Sequence, residues 1–249
     1  MSSGKNWRTQ LAGRYWVWRL YHFLVADAVA VQKPTKDKMI YEFLGEHLGR
    51  VADIGCGPGV FTRYLCAHAD RVCAADIDAA SLGRVRARNR AELNLDSLVT
   101  DAGKLPFADS QLDTVLFLEV LEHLPDDAAA LSEVHRVLAP GGRVVLSVPV
   151  PPGEINEGEA WGHKREGYQL EEIVALVERN GFRVEKRGFA VFRFSRLSNT
   201  LIRNWRHWLR LPAPIFLAWV SYFDCLLNAK GRQKGAYLPA SVVLLARKL

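Results

Sequence analysis

The sequence predicts a doubly wound α/β fold, in which a mostly parallel sheet is covered by helices on both faces. From residue 50 onward, short runs rich in Val, Ile and Leu alternate with stretches of helical periodicity. The strand runs are almost continuously apolar, as expected for strands that are buried on both faces. With 249 residues, of which 49% are hydrophobic, the chain can supply the core that such a domain needs.

The predicted strands and helices alternate along the chain. Strands are predicted at RVADI (50–54), RVCAAD (71–76), SLVT (97–100), TVLFL (114–118), RVVLSV (143–148), FRVEKRGFA (182–190) and SVVLLARK (241–248). Helices are predicted at 61–68, 79–93, 126–138 and 170–180. These elements define a core domain of residues 47–190 together with 237–249.

Two segments do not follow the alternation. Residues 1–46 have helical character and are rich in aromatic residues, and we expect them to form an N-terminal part of a lid over the substrate. Residues 191–236 separate the sixth and seventh strands and predict a helical cap that is both basic and aromatic. The sequence therefore predicts N-terminal helices, a sheet domain, and a cap inserted before the last strand.

The net charge of +6 belongs to the cap. Between residues 192 and 239, eight Lys and Arg residues accompany one acid, Asp224, so the rest of the chain is close to neutral. Three interpretations of the cap stay open. It could be a lid helix with solvated arginines, a helix that lies on an anionic membrane surface with Trp and Leu buried, or a face that binds RNA.

Cysteine usage and hydropathy indicate a cytoplasmic protein. The four cysteines form no C-x-x-C pair, which favours a reducing compartment. The apolar run FLVADAVAV is short and contains Asp27, so it is not typical of a secretory signal. No apolar run reaches the ~20 residues that span a bilayer. If the cap does lie on a membrane, we expect peripheral association with the inner face.

A glycine-rich loop follows the first strand. The motif DIGCGPG (53–59) has the spacing G-x-G-x-G, in which Gly55, Gly57 and Gly59 allow a sharp turn and the close approach of a ligand. Asp53, just before these glycines, would repel a pyrophosphate and attract a ligand that carries an amino group. The loop therefore predicts a binding site for an amine-bearing cofactor.

Acidic residues follow the next two strands. Asp76 ends the second strand, 17 residues after Gly59, where a nucleoside-binding fold places an acid that accepts both ribose hydroxyls. Asp101 and Ala102 follow the third strand, where a carboxylate and a backbone amide could hold an adenine edge. The three features together, each at a strand end, predict a nucleoside site.

At these residues the sequence resembles the class I S-adenosylmethionine-dependent methyltransferases, and within them the small-molecule, type 11 group that includes the ubiquinone- and menaquinone-biosynthesis enzymes. The matching motifs are VADIGCGPG (51–59), AADID (74–78), TDAGKLPFADSQLDTV (100–115), LEVLEHL (118–124) and RVLAPGGRVVLSVP (136–149). The resemblance covers residues 37–190 and the final strand. It implies a Rossmann-like, seven-stranded sheet whose last strand is antiparallel and lies beside the fifth.

The resemblance also implies the cofactor, S-adenosylmethionine, with S-adenosylhomocysteine as its product. The glycine loop and Asp53 would hold the methionine moiety, Asp76 the ribose, and Ile77 would pack against adenine. The residues that the resemblance assigns to the cofactor are Asp53, Ile54, Gly55, Cys56, Gly57, Gly59, Asp76, Ile77, Asp101, Ala102, Glu119 and Val120.

The segment FLEVLEHLPDD (117–127) closes the fourth strand and allows three interpretations. Its acids could simply balance the positive charge of the cofactor. His123 could take a proton from an acceptor hydroxyl. The set E-x-x-E-H could bind a divalent metal together with a further histidine, His163 or His135. We favour the first two, and we expect no metal among the assigned site residues. His163 and Tyr168 are further substrate-side candidates.

The sequence thus predicts a methyltransferase that uses direct SN2 transfer to a hydrophobic or lipid-linked small molecule. The alternatives are an RNA or protein methyltransferase that uses the basic cap, and a non-catalytic cofactor-binding partner protein. DNA-base methylation is disfavoured, because the fourth strand ends in LEVL (118–121) and not in an N/D-P-P-Y type motif. The oligomeric state stays open.

Overall fold

The computed structural model describes residues 33–150, 162, 164–190 and 241–249. The chain consists of two compact units. The unit that contains the sheet comprises Met39–Phe189 and Pro239–Leu249. The other unit, Met1–Lys38 with Ala190–Leu238, lies almost entirely outside the described residues. The predicted cap at 191–236 and most of the predicted N-terminal lid segment also lie outside them.

The described residues form helices and strands in alternation, with one short 3₁₀ helix at Leu121–His123. The helices are α1 (Lys33–Leu44), α2 (Thr62–His68), α3 (Ala79–Arg88), α4 (Asp127–Val137) and α5 (Leu170–Arg179). The strands are β1 (Arg50–Ile54), β2 (Arg71–Asp76), β3 (Leu95–Val99), β4 (Leu112–Leu118), β5 (Leu138–Pro149), β6 (Phe182–Ala190) and β7 (Ser241–Lys248).

The seven strands form one sheet in the order β3-β2-β1-β4-β5-β7-β6. The pairs from β3 to β5 are parallel, whereas β7 runs antiparallel to β5. The predicted Rossmann-like α/β fold is therefore confirmed. Because strand order reverses between β1 and β4, the carboxyl ends of these two strands mark the topological switch point where such folds bind ligands.

Four of the seven strands have the predicted bounds, namely β1, β2, β6 and β7. The predicted helix at 79–93 is wrong beyond Arg88, because Asn89 ends it by donating its side-chain amide to the Val85 carbonyl at 2.8 Å. The fifth strand starts at Leu138, five residues earlier than predicted. A register shift opposite Leu112 and Thr114 accommodates the turn at Gly141, whose φ is +71°.

Helices cover both faces of the sheet. On one face, α4 and α5 pack through Leu131, Val134, Ile173 and Val177 onto β1, β4, β5 and β7. On the other face, α1 and α2 supply residues such as Ile40 and Leu65, which pack with other side chains of the same strands. Burying each such side chain contributes about 1.5–3 kcal/mol, so the two layers hold the strand ends in place.

Side-chain caps fix where three helices begin. Asp78 accepts hydrogen bonds from the backbone amides of Ala80 and Ser81 at the start of α3, and Asp126 caps α4 in the same way through Ala129. Gln169 forms a capping box with Glu172 at α5. None of the described helices is long and apolar enough to cross a bilayer.

Candidate cofactor site

The glycine loop joins β1 to α2 at the switch point. Gly55, Gly57 and Gly59 adopt φ values of +71°, +51° and +75°, a region that disfavours residues with a Cβ. The backbone amides of Gly55 and Cys56 donate to the Ala75 carbonyl at 2.8 and 3.1 Å, which ties the loop to the end of β2. The predicted sharp turn is therefore present.

The glycines serve different purposes. A Cβ at Gly55 would collide with Cγ2 of Val120, and one at Gly59 would lie 2.8 Å from side-chain atoms of Thr62 and Val85. At these two positions a glycine is needed because a larger residue would clash with the packed side chains. A Cβ at Gly57 would meet nothing within 4 Å, so the loop borders open space at that point. A ligand can approach the backbone there.

Asp53 is a buried carboxyl group at the base of this loop. Only 4% of the residue is exposed. Burial, and secondarily the charge of Asp76, raises the pKa of Asp53 from 3.8 to about 7. No ion pair between described residues includes Asp53 or Asp76. A ligand cation would supply the charge that the ionised form of Asp53 needs.

The side chains of Ile54 and Cys56 are also buried. Ile54 belongs to the core cluster beneath α4 and α5, so its side chain is a packing group. The Cys56 thiol donates to the Gly57 carbonyl at 3.7 Å, and burial together with the charges of Asp53 and Asp76 raises its pKa. A thiol in this state is inert. Only the backbone of these two residues is suited to face a ligand.

Asp76 organises the loop as well as the end of β2. Its Oδ2 accepts a hydrogen bond from the Gly57 amide at 2.7 Å, and its Oδ1 accepts one from the Asp78 amide at 2.8 Å. Each carboxylate oxygen has two lone pairs, so acceptor capacity for ribose hydroxyls is left. Sequence reasoning missed this bond to the glycine loop, because 19 residues separate its two ends.

Two exposed apolar side chains lie at the ends of β2 and β3. Ile77, predicted to pack against adenine, is 75% exposed, and Val99 is 56% exposed. Val99 pairs with Asp76 across the parallel strands, which places it at the same edge of the sheet. Val99 was not among the predicted site residues. Together they offer an apolar surface of the kind that covers a nucleobase.

Asp101 and Ala102 begin the loop after β3. Oδ1 of Asp101 accepts a hydrogen bond from the Gly103 amide at 2.8 Å, which forms a tight turn. The Thr100 amide donates to the Asp76 carbonyl at 3.1 Å, so this turn is held beside the end of β2. The two residues predicted to contact adenine therefore lie in a turn beside the end of β2.

A network that sequence reasoning did not predict holds the rest of that loop. Arg136 on α4 donates to the carbonyls of Leu105 and Phe107 and to the carboxylates of Glu133 and Asp109, all at 2.8–2.9 Å. Glu133 in turn accepts the Leu105 amide at 2.9 Å. The spacing E-x-x-R, which places both side chains on one helical face, is the signal that could have revealed it.

Glu119 follows β4 and has a φ of +53°. Its amide donates to the Ser147 carbonyl at 2.8 Å, while its Oε1 accepts hydrogen bonds from the hydroxyls of Ser147 and Ser241. The next residue, Val120, is 9% exposed and packs against Gly55. Val120 thus adjoins the glycine loop, and Glu119 precedes it directly in the chain.

Glu122 and His123 form the 3₁₀ helix with Leu121. The Glu122 residue is fully buried, whereas the His123 side chain is 37% exposed. Nε2 of His123 lies 4.0 Å from Oε1 of Glu122. The imidazole is therefore accessible at the same edge of the sheet as Glu119, and its backbone amide is held by the Val120 carbonyl at 3.0 Å.

Tyr168, predicted as a substrate-side residue, belongs to the buried core of the described residues. The residue is fully buried, and its hydroxyl donates to the Asp127 carboxylate at 2.9 Å. Burial and this bond raise its pKa. The geometry is that of a packing residue that joins α4 to the chain before α5. His163, the other substrate-side candidate, lies outside the described residues.

The length of α4 places His135 far from the other residues that were considered as metal ligands. His135 lies near the end of α4 away from His123, and the helix is about 16 Å long. Its ring packs edge-on against Phe182. His135 therefore cannot complete a set with Glu119 and His123. No cluster of His, Cys, Asp and Glu suited to a metal ion occurs among the described residues.

Comparison with known proteins agrees with this architecture. Residues 52–146 match the family model described as a methyltransferase domain. This part of the chain is a class I S-adenosylmethionine-dependent methyltransferase domain. Its match runs from β1 to β5, so it includes the glycine loop, Asp76, Asp101 and the segment after β4. S-Adenosylmethionine is the cofactor of this family.

Curated relatives share the domain but not its full length. The chain is 34% identical over 157 residues to a probable S-adenosylmethionine-dependent methyltransferase of Mycolicibacterium smegmatis, which covers 60% of this chain and 59% of the relative. It is 34% identical over 108 residues to a ubiquinone/menaquinone biosynthesis C-methyltransferase of Desulfotalea psychrophila, covering 43% and 44% of the two chains. The chain thus spans less than two thirds of these relatives.

Solved structures resemble the methyltransferase fold of the chain. The N-methyltransferase NodS from Bradyrhizobium japonicum, in complex with S-adenosylhomocysteine, superposes with a TM-score of 0.57. The match covers 86% of this chain and 88% of NodS at 17% identity. At that identity the likeness establishes the fold.

Proposed function

We propose that the protein transfers the methyl group of S-adenosylmethionine to a hydrophobic small molecule by direct SN2 displacement. The observation that carries the proposal is the arrangement at the switch point. Buried Asp53 lies beneath a glycine loop that borders open space at Gly57, and Asp76 is hydrogen-bonded to the amide of that same glycine. This arrangement fits a nucleoside that carries an ammonium group.

Each residue has a part in holding the cofactor. The ionised carboxylate of Asp53 pairs with the ammonium group, and Asp76 accepts the ribose hydroxyls. Ile77 and Val99 cover the adenine, while Asp101 and the Ala102 amide contact its edge. The cofactor supplies a methyl group on a sulfonium, which is a good leaving group. The protein's contribution is therefore alignment and exclusion of water.

His123 is our candidate for the base that accepts a proton when the acceptor is a hydroxyl. Its ring is accessible beside Glu119, and an imidazole can exchange protons near neutral pH. We expect His123→Ala to lower kcat on a hydroxyl acceptor by ~10²–10⁴ while the Kd for the cofactor stays unchanged. His135→Ala, at the far end of α4, is the matched control. An unchanged kcat would remove His123 from the mechanism.

The acceptor class is inferred from the relatives and from the sequence of the cap. The relative from Desulfotalea psychrophila is named for ubiquinone and menaquinone biosynthesis. The sequence of residues 191–236 combines Trp and Leu with several arginines. This composition suits a hydrophobic substrate at an anionic bilayer. We propose an isoprenoid, lipid or lipid-linked acceptor, and a cytoplasmic protein that associates peripherally with the inner membrane face.

The decisive experiment has two steps. Calorimetric titration with S-adenosylmethionine tests cofactor binding, and Asp53→Asn serves as the site variant. Mass spectrometry of metabolites and lipids from cells with and without the gene then seeks pairs that differ by one methylene, about +14 Da. Binding without any such pair would favour the non-catalytic partner protein. No binding by the wild-type chain would overturn the proposal.

The basic cap sequence supports a second candidate, an RNA methyltransferase. It predicts that the protein binds RNA with an affinity that falls steeply as salt is raised. Flotation with liposomes that contain anionic lipid tests the membrane alternative, with Arg203, Arg206 and Arg210 changed to Ala as the control. Flotation that the triple variant loses favours the lipid acceptor. A salt-dependent RNA shift without flotation favours the second candidate.

A further inference from the structure

A strained residue lies at the mouth of the cofactor site. Among the described residues, Glu119 and Ser110 are the non-glycine residues with positive φ. Ser110 lies in an exposed turn before β4, where such a conformation is common. Glu119 instead sits between the end of β4 and the 3₁₀ helix. A non-glycine residue persists in this conformation only where its surroundings fix it, and such residues cluster at functional sites.

Two serines fix the Glu119 carboxylate. The hydroxyl of Ser147 donates to Oε1 at 2.7 Å, and the Ser241 hydroxyl lies 3.3 Å from the same oxygen. Ser241 also lies 3.2 Å from the Val148 carbonyl, so its single proton is shared between two acceptors. Ser147 is therefore the stronger donor to Glu119, and Ser241 is an auxiliary one.

The serines are polar positions in otherwise apolar strands. Ser147 is fully buried in the run RVVLSV, and Ser241, at the start of SVVLL, is 5% exposed. A buried hydroxyl costs stability unless it is hydrogen-bonded, and an alanine would fit either strand without that cost. What the hydroxyls provide is a fixed direction for the Glu119 carboxylate.

Glu119 shares its edge of the sheet with Asp53. Their strands are adjacent, and Asp53 pairs with Leu116, three residues before Glu119. Val120, the neighbour of Glu119, contacts Gly55 of the glycine loop. Glu119 thus follows the strand next to Asp53, at the edge of the sheet to which the proposed function assigns the methionine end of the cofactor.

Resting on that proposed function, we propose that Ser147 and Ser241 are positioning residues that aim Glu119 at the sulfonium, and that the site thereby prefers S-adenosylmethionine to S-adenosylhomocysteine. The two ligands share the adenosine, the ammonium and the carboxylate. They differ in one methyl group and one positive charge at sulfur. A carboxylate near the sulfur therefore favours the charged ligand, and transfer of the methyl group removes that attraction and aids product release.

Titration calorimetry with both ligands tests this inference. We expect Glu119→Gln and Ser147→Ala each to weaken S-adenosylmethionine binding about tenfold and S-adenosylhomocysteine binding less than threefold. Ser241→Ala should have a smaller effect of the same kind, and Ser241→Thr, which keeps the hydroxyl, should restore the preference. Ionic attraction of one unit charge at a partly buried site accounts for differences of this order.

Thr114→Val is the matched control. Thr114 lies in β4 at the other end of the strand, is 1% exposed, and donates its hydroxyl to the Leu48 carbonyl at 2.9 Å. Its removal should lower Tm without changing the ratio of the two Kd values. A Tm measured by circular dichroism for every variant separates loss of fold from loss of preference.

The outcomes separate the two proposals. If the wild-type chain binds both ligands and Glu119→Gln weakens them equally or not at all, the serine and glutamate assignment is wrong while the proposed function stands. If Ser147→Ala lowers Tm and leaves the ratio unchanged, the serines are structural only. If the wild-type chain binds neither ligand, the proposed function itself is wrong, and this inference fails with it.

Discussion

Both ends of the sheet carry acidic side chains, but the two ends differ in whether named acids have arginine partners. At the amino-terminal end, acids are paired with arginines: Asp113 accepts three hydrogen bonds from Arg50, and Glu185 binds Arg247. These partners lower the pKa of both carboxyls. At the carboxyl end, Asp53 is buried away from any cation among the described residues, and its pKa is raised. The two acids named at the amino-terminal end are paired, whereas the ionised form of Asp53 at the carboxyl end has a charge that a ligand cation would balance.

The same contrast explains why an open cleft elsewhere in the sheet domain is not the proposed site. A cleft of about 510 Å³ lies at the amino-terminal end, lined by residues that include His47, Asp70 and Arg143. Two of its charged residues are already paired, Asp113 with Arg50 and Arg247 with Glu185, and burial and the charge of Arg247 lower the pKa of Arg143. We therefore place the candidate site at the unbalanced charge and the glycine loop, and not in the cleft.

Replacing Asp53 gives the largest expected effect. Asp53→Asn keeps the shape of the side chain but removes the charge that pairs with the cofactor ammonium. We expect the Kd for S-adenosylmethionine to rise at least ~100-fold, which corresponds to about 2.7 kcal/mol, while Tm without cofactor is kept or raised. Calorimetry and thermal unfolding measure the two quantities. Unchanged affinity would contradict the proposed role of the carboxyl end.

The raised pKa of Asp53 also predicts two opposite pH trends. Below a pKa of about 7 the carboxyl is protonated, so cofactor affinity should fall up to ~tenfold per pH unit as pH is lowered from 7 to 5. Because the pKa of Asp53 in the folded chain exceeds its ordinary value of 3.8, Asp53 contributes stability that is present below pH 4 and lost as pH rises through 7. Asp53→Asn should abolish both trends. A flat affinity profile in the wild-type chain would contradict the assignment.

Alanine substitutions at two glycines, one at each end of the sheet, allow a direct comparison of the two ends. Gly57 and Gly49 both have positive φ, so an alanine costs about 1–2 kcal/mol at either position. Only at Gly49 would the Cβ also meet a fixed side chain, at 2.6 Å from Oδ2 of Asp113. We expect Gly49→Ala to lower stability by about 3 kcal/mol with unchanged affinity. Gly57→Ala should lower stability less and weaken cofactor binding about tenfold, because its Cβ enters the ligand space. Equal effects of both variants on affinity would break the comparison.

The smallest expected effect on stability comes from the amino-terminal end of the sheet, where Asp113 is paired with an arginine. Asp113 and Arg50 form an ion pair whose side chains are 41% and 48% exposed, so solvent screens it. We expect Asp113→Asn to lower the free energy of unfolding only slightly, with no change in cofactor affinity. Urea denaturation measures the former. A loss of affinity here would mean that the two ends are coupled.

The sequence was sufficient for the fold, because the strands and the glycine turn depend on local pattern. The strands β1, β2 and β7 are marked by short runs rich in apolar residues, and the glycine loop by its own spacing. The start of β5 could not be predicted, because its first residues pair through a register shift that depends on β4. The end of α3 depends on one amide of Asn89, which pattern alone does not weigh.

The contacts that fix the site were harder to predict, because they join residues distant in sequence. Asp76 binds Gly57 across 19 residues, and Ser241 reaches Glu119 across 122. Tyr168 was misplaced for the same reason, since its partner Asp127 is 41 residues away. Sequence pattern marks which residues lie at strand ends, whereas the distances between them follow from strand order.

The position of β7 has a consequence for how the chain folds. In the sheet β7 lies between β5 and β6, although it follows every other described strand in sequence, and its residue Arg247 pairs with Arg143, 104 residues earlier. During synthesis the apolar edge of β5 therefore stays uncovered until residues 241–248 leave the ribosome. Closing so long a loop is entropically costly and slow. The completed sheet is thus a late folding event, and the exposed β5 edge is where nascent chains would associate wrongly.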